Sequence, residues 1–279
     1  MSLIDCKSTR ASRTWEVLCP MGEFNHLAAK PGWRALHLPV APGVELRGLL
    51  HEAATPGGPW ILFFNGNSPN TLSTGQRLLD ALCAERGWGG VVWAYRGFDS
   101  TGGTPDPAAL DADALRVYSN LLSERGVEPH KVHLVGFSLG TAFAAGVAAQ
   151  AHQAPATLTL LAPMTVLYMG DRAQLHLDRY ETLKWLERIT SPTLVVHGTS
   201  DATLNVEYGR AVAKTLGSEA SLREMPGLGH QDLLVSPEVQ AAVRGLHRRP
   251  CGRNGRGCRT VILMLRVSAR LRLREPISG

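Results

Sequence analysis

Nowhere does this chain approach the ~20 consecutive apolar residues of a membrane-spanning helix, so no such span is expected. The opening stretch MSLIDCKSTRASR lacks the apolar core of a secretory signal, and a cytoplasmic protein is the corresponding expectation. Cysteine is scarce. The five present, an odd number with no CxxC pair, exclude a disulfide framework and favour a reducing compartment. His247, Cys251 and Cys258 are too loosely spaced for a zinc site, and neither metal nor cofactor is expected. No repeat of 20–50 residues recurs, which excludes a solenoid. Acid is missing from one end only. Residues 244–279 hold ten Arg and a single acid, Glu275, for a local net charge of +9. Within the chain's +5, the other 243 residues therefore carry a net −4. The basicity belongs to the tail, and no nucleic-acid partner is expected for the body.

What is present is enough apolar material, 44% of 279 residues, for one α/β domain with a large core. Residues 1–32 show no sustained periodicity and include Pro20, Gly22, Pro31 and Gly32; they read as a loosely attached lead-in. Residues 33–247 read as the domain. Trp33 to Val40 and Val44 to Leu50 alternate around Ala-Pro-Gly, as a hairpin does. Trp60–Phe64, Gly90–Tyr95, Val132–Phe137, Thr157–Leu161, Thr193–His197 and Ser221–Met225 are short apolar runs that suit strands. Helical stretches at Ser73–Arg86, Asp106–Arg125, Thr141–Gln150, Asn205–Leu216 and Pro237–Leu246 lie among them. This alternation implies a mostly parallel central sheet, preceded by an antiparallel hairpin and covered by helices on both faces.

The stretch that carries chemistry is KVHLVGFSLGTAFAAGVAAQ, residues 131–150. It sets Gly136-Phe137-Ser138-Leu139-Gly140 between a strand and a helix, the context of a nucleophile elbow. The turn is so sharp that the residues two before and two after the serine must be small. A serine needs a base, and the base needs an orienting acid; on this elbow they follow in the order Ser, acid, His. Asp201 comes after the strand Thr193–His197 and a turn at Gly198. His230 sits in the Gly-rich loop MPGLGHQDL after the last strand. Asp171, Asp178 and Asp232 are rivals that do not follow a strand in this way, and His197, ending a buried strand, reads as a packed histidine. An oxyanion also needs amide donors, each worth about 3 kcal/mol in the transition state. The expected pair is the N–H of Leu139 and that of Asn67 in NGNSPN, where Gly66 permits close approach and the Asn65 amide braces the loop.

FFNGN, VVWAYRGFDSTGGTP, VGFSLG, LAPM, LVVHGTSDATL and PGLGHQDL, in this order over residues ~33–247, resemble the α/β-hydrolase superfamily. The resemblance is nearest to its serine-aminopeptidase-like, monoglyceride-lipase-like and acyl-thioesterase-like branch. It implies the α/β-hydrolase fold and hydrolysis of esters, thioesters or amides through Ser138, Asp201 and His230. The alternative is a non-catalytic protein of this fold that binds a ligand or partner. Three positions depart from the family pattern: Asn65 stands where His is frequent, Asp99 where Gly is frequent, and Thr203-Leu204-Asn205 where Val-Pro is frequent. Asp99 would then put a carboxylate near the entrance.

The 28 residues from Met164 to Ser191, where a cap is commonly inserted, allow a helix or two, so a short or absent lid is expected. The substrate is then a small molecule or an acyl group on a bulky carrier. Met164, Leu167 and Tyr168, with Val166 and Met169, are candidates to line an acyl pocket, although the same residues suit a core. Residues 248–279 read as an Arg-rich, disordered tail rather than a membrane or nucleic-acid grip.

Overall fold

Residues 21–68, 70–83, 86–99, 101–168 and 179–246 are described by the computed structural model of the protein. Helix α1 (Met21–Ala28) leads into the strands β1 (Trp33–Ala41) and β2 (Val44–His51). Then follow β3 (Trp60–Phe64), α2 (Thr71–Cys83), β4 (Gly89–Trp93), α3 (Pro107–Arg125), β5 (Val132–Phe137), α4 (Gly140–Gln150) and β6 (Thr157–Leu161). The short strands β7 (Val166–Tyr168) and β8 (Arg179–Glu181) and helix α5 (Leu183–Leu186) come next. The chain continues through β9 (Thr193–Gly198), α6 (Val206–Leu216), β10 (Ala220–Met225), α7 (Asp232–Val235) and α8 (Pro237–Leu246).

Eight strands form one sheet in the order β1-β2-β4-β3-β5-β6-β9-β10. β1 and β2 pair antiparallel, β2 meets β4 antiparallel, and from β4 to β10 every pairing is parallel. Every residue of β3, β4, β5, β6 and β9 is buried, which explains their unbroken apolar sequence: both faces are covered. On one face, Leu62, Leu134, Leu160 and Val195 join a core with Val117 of α3, Phe143 of α4 and Val212 of α6. On the other, Ile61, Phe63, Val135 and Val196 join one with Phe24 of α1, Leu79 of α2 and Val243 of α8. Each fully buried Leu, Ile or Phe stabilises by about 1.5–3 kcal/mol relative to exposure. β10, at the sheet's edge, is mostly half-exposed.

Local chemistry sets the helix ends. The Asp106 carboxylate accepts the Ala109 N–H at 2.9 Å, Pro107 occupies the first turn of α3, and Gly126 ends it at φ 60°. The Asn205 amide oxygen accepts the Glu207 N–H at 2.9 Å to open α6.

The lead-in departs from expectation. Residues 21–28, inside the stretch read as loosely attached, form α1, with Phe24 and Leu27 buried. The Gln76 amide donates to the Leu27 carbonyl at 2.9 Å, and the Arg47 guanidinium lies 5.7 Å from the Phe24 ring centre. Two turns of helix repeat the i, i+3 spacing only once, too little for periodicity to register. Residues 1–20 and the Arg-rich stretch 248–279 lie outside the described residues. In the segment expected to hold a helix or two, β7 and β8 pair as an antiparallel two-stranded sheet ahead of α5.

Candidate active site

β5 ends, and α4 begins, around Ser138. The serine takes φ 52°, in the left-handed region that non-glycine residues rarely enter, at a cost of about 1–3 kcal/mol. Its N–H bonds the Leu161 carbonyl at 2.9 Å, and its own carbonyl accepts the Thr141 hydroxyl at 2.6 Å. A Cβ on Gly136 would stand 2.6 Å from the Gly140 carbonyl oxygen, which is why the residue before the turn must be small. Gly140 is small for a different reason: its Cβ would lie 2.0 Å from the carbonyl oxygen of Phe64, at the end of β3. The start of α4 therefore touches the neighbouring strand's backbone, and its first N–H groups stand at the turn that carries Ser138.

Asp201 and His230 meet at the same end of the sheet. His230 Nδ1 lies 2.7 Å from Asp201 Oδ2; the carboxylate can only accept, so Nδ1 carries a proton, and in the neutral ring the lone pair is on Nε2. The other carboxylate oxygen, Oδ1, accepts the N–H groups of Thr203 and Leu204, both at 2.8 Å. The Asp201 side chain is wholly buried and that of His230 is 9% exposed. The His230 ring lies 4.8 Å from that of Phe137, the residue before Ser138. Two bonds join the loop after β9 to the loop after β10: Ser200 N–H to the Leu228 carbonyl, and Gly227 N–H to the Thr199 hydroxyl, both at 3.0 Å.

The loop after β3 packs on the elbow. A Cβ on Gly66 would be 3.2 Å from Ser138 Cβ, so this glycine brings the loop backbone against the serine. Buried Asn65 braces it: the amide oxygen accepts the Gly66 N–H at 2.8 Å and the amide nitrogen donates to the Thr71 carbonyl at 3.3 Å. The Tyr95 hydroxyl donates to the Asn65 carbonyl at 2.5 Å. Asn67 is exposed on this loop, while Leu139 is buried at the head of α4.

An uncharacterized protein of Mycobacterium tuberculosis is 28% identical over 215 residues, covering 72% of this chain and 74% of its own. The alpha/beta hydrolase domain-containing protein aho-3 of Caenorhabditis elegans is 29% identical over 141 residues, 50% of this chain and 42% of that one. The crystal structure of the α/β hydrolase GrgF from Penicillium superposes with a TM-score of 0.64 at 14% identity, covering 77% of this chain and 96% of GrgF. The chain has the α/β-hydrolase fold. No family model matches it.

The positions at which this chain departs from the α/β-hydrolase pattern have structural roles. Thr203 and Leu204 supply the N–H groups that hold Asp201, and Asn205 caps α6. Asp99, read as a carboxylate near the entrance, is instead 1% exposed, at φ 46°, with Oδ2 accepting the Leu72 N–H at 2.8 Å. Burial pushes its carboxyl up to about 7, the Leu72 N–H opposing and the Glu23 charge adding to the rise. The same loop is anchored by Arg96, whose guanidinium takes both oxygens of Asp113 on α3 at 2.6 Å.

Among the rival acids, Asp232 accepts the Gly229 N–H at 2.7 Å and so shapes the loop of His230; Asp171 and Asp178 lie outside the described residues. Met164 is buried in the core, while Leu167 and Tyr168 belong to β7. His197 is packed, as expected, but it also lies 3.4 Å from Asp201 Oδ2, a contact made through a tight turn that no sequence pattern signals. A separate cleft of about 420 Å³ opens at the opposite end of the sheet, where Trp60 begins β3 and Lys131 precedes β5. Among the described residues, no helix is long and apolar enough to cross a membrane.

Proposed function

We propose that the protein is a serine hydrolase of carboxylic esters, thioesters or amides, with Ser138 as nucleophile, His230 as general base and Asp201 as the orienting acid. The observation that carries the reading is the 2.7 Å bond from His230 Nδ1–H to Asp201 Oδ2. It fixes the tautomer whose free Nε2 can take a hydroxyl proton. It is made at the end of the sheet where Ser138 stands in a left-handed elbow.

In the proposed reaction, Ser138 Oγ attacks the acyl carbon as its proton passes to His230 Nε2. The charge that develops on the acyl oxygen is met by the Asn67 and Leu139 N–H groups. Asp201 stabilises the imidazolium without taking its proton. Collapse of the tetrahedral intermediate expels the alcohol, thiol or amine, which receives the proton from His230 and leaves an acyl-enzyme. Water, deprotonated by His230, then attacks the ester carbonyl. The second collapse releases the acid and returns the proton to Ser138. Asn65, bonded to Gly66 and Thr71, would hold the oxyanion loop in place before substrate arrives.

The test is labelling with a fluorophosphonate probe, followed by p-nitrophenyl esters of increasing acyl length and their thioester and anilide counterparts. Labelling at Ser138 and turnover of an acyl substrate are expected. A folded protein that takes no probe and turns over none of these substrates would have to be a binding protein of this fold.

A further inference from the structure

Asp201 faces two histidines. His197 Nε2 lies 2.9 Å from the Leu204 carbonyl oxygen and 3.4 Å from Asp201 Oδ2, the oxygen that also takes His230 Nδ1–H. A carbonyl can only accept, so Nε2 of His197 carries a proton. The other ring nitrogen, Nδ1, is buried with no hydrogen-bond partner, and it faces Gly209 of α6, where a Cβ would stand 2.7 Å away. A second proton on that ring would be a buried donor with nothing to receive it. Burial accordingly holds the imidazole below its ordinary value, against the pull of the Leu204 carbonyl and the Asp201 charge. Glu224, opposite His197 on β10, is engaged by Arg210 at 2.7 and 2.8 Å.

We propose that His197 is a positioning residue: a neutral imidazole whose Nε2–H clamps the Leu204 carbonyl and so fixes the plane of the Asp201 carboxylate that orients His230. The turn 201–204 is closed from both sides. Asp201 Oδ1 accepts the Leu204 N–H, and His197 holds the carbonyl of the same residue. The carboxylate can then rotate only if one of these bonds breaks. Neutrality matters as much as position. A cation at His197 would compete for the charge that Asp201 offers to the His230 imidazolium; a neutral N–H orients the carboxylate without quenching it. This inference rests on the triad reading, and its test separates the two.

Gln can place its amide nitrogen where imidazole Nε2 stands, whereas the Asn amide stops near the position of Nδ1. The ¹⁵N spectrum of histidine-labelled wild-type protein is expected to show His197 as the Nε2–H tautomer, gaining its second proton only below the pH at which an ordinary imidazole does. In kinetics, His197→Gln is expected to keep most of the wild-type kcat. His197→Asn is expected to lose about 10²-fold in kcat at little change in KM, as a misplaced catalytic group does. An Nδ1–H tautomer at His197, or a folded His197→Asn protein as fast as His197→Gln, overturns the proposal. Should wild-type protein take no fluorophosphonate and hydrolyse nothing, the hydrolase reading falls. The tautomer then still decides the clamp: Nε2–H upholds it and Nδ1–H removes it.

Discussion

The Thr199 hydroxyl accepts the Gly227 N–H at 3.0 Å, joining the loop that carries Asp201 to the loop that carries His230. The acid and the base candidate thus belong to one braced unit, in which a Cβ on Gly198 would be 2.2 Å from the Leu228 carbonyl oxygen. Such close backbone contact leaves the pair little freedom to separate.

Asp201→Asn is expected to lower kcat by about 10⁴-fold, because an amide at that position no longer enforces the His230 tautomer. Asp232→Asn touches only a loop bond to Gly229, which the amide oxygen can still accept, and should cost far less; Asp178→Asn should likewise be mild. The check is kcat for the three proteins with folding measured separately, and a crippled Asp232 or Asp178 variant would reassign the acid.

Ser138→Ala should abolish fluorophosphonate labelling and lower ester turnover by about 10³-fold or more in a folded protein. The φ of 52° adds a second expectation. Alanine retains a Cβ and therefore the strain, whereas Ser138→Gly should relieve it, making that variant more stable than Ser138→Ala by about 1 kcal/mol. Denaturant titration of the two variants measures this, and equal midpoints would show that the elbow stores no strain.

Asp99 should make stability depend on pH. Its folded value, about 7, lies above the ordinary carboxylate range, so the contribution is fully present below the unfolded value and is lost as pH rises through 7. Asn at this position tolerates the left-handed backbone and can still accept the Leu72 N–H, but does not titrate. The stability of Asp99→Asn relative to wild type should therefore rise between pH 5 and pH 7, by about 1.4 kcal/mol per pH unit, and level off above 7. Urea melts at both pH values check this, and a constant difference would mean that Asp99 is ionised throughout.

At the chain's two ends the expectations diverge. Phe24→Ala should destabilise by about 3–5 kcal/mol, since the ring is buried against both α2 and the sheet. Removing residues 248–279 should leave hydrolysis of a soluble ester nearly unchanged, because the composition turns abruptly Arg-rich there and the buried residues of α8, Val239 to Leu246, all precede the cut. Loss of folding on truncation, or a Phe24→Ala melt indistinguishable from wild type, would reverse the respective assignments.

The parts legible in the sequence are those whose signal is local and repeated. β3, β5 and β6 are unbroken apolar runs because they are covered on both faces, and their boundaries were readable to the residue. Helix α3 carries its own cap in Asp106 and its own stop in Gly126. Ser138, Asp201 and His230 were legible as candidates because the elbow motif sets an order along the chain, and Asp201 and His230 do meet in space. What escaped is either too short to repeat or made across space. Helix α1 and the β7–β8 pair are too brief for periodicity. The approach of His197 to Asp201 depends on a turn rather than on any spacing. Asp99 misled because its departure from the family pattern suggested a carboxylate near the entrance, whereas here it is buried and accepts the Leu72 N–H at the head of α2.

The contact of Gly140 with the Phe64 carbonyl has a consequence for how this protein could change over time. It is backbone against backbone, so the spacing between the elbow and the loop after β3 does not depend on which side chains surround it. On the proposed hydrolase reading, residues around the acyl group can then be exchanged for larger, smaller or more polar ones without moving the frame that holds Ser138. Substrate range would be free to drift under selection while that frame stays intact, and Gly140 itself is the position where that freedom ends.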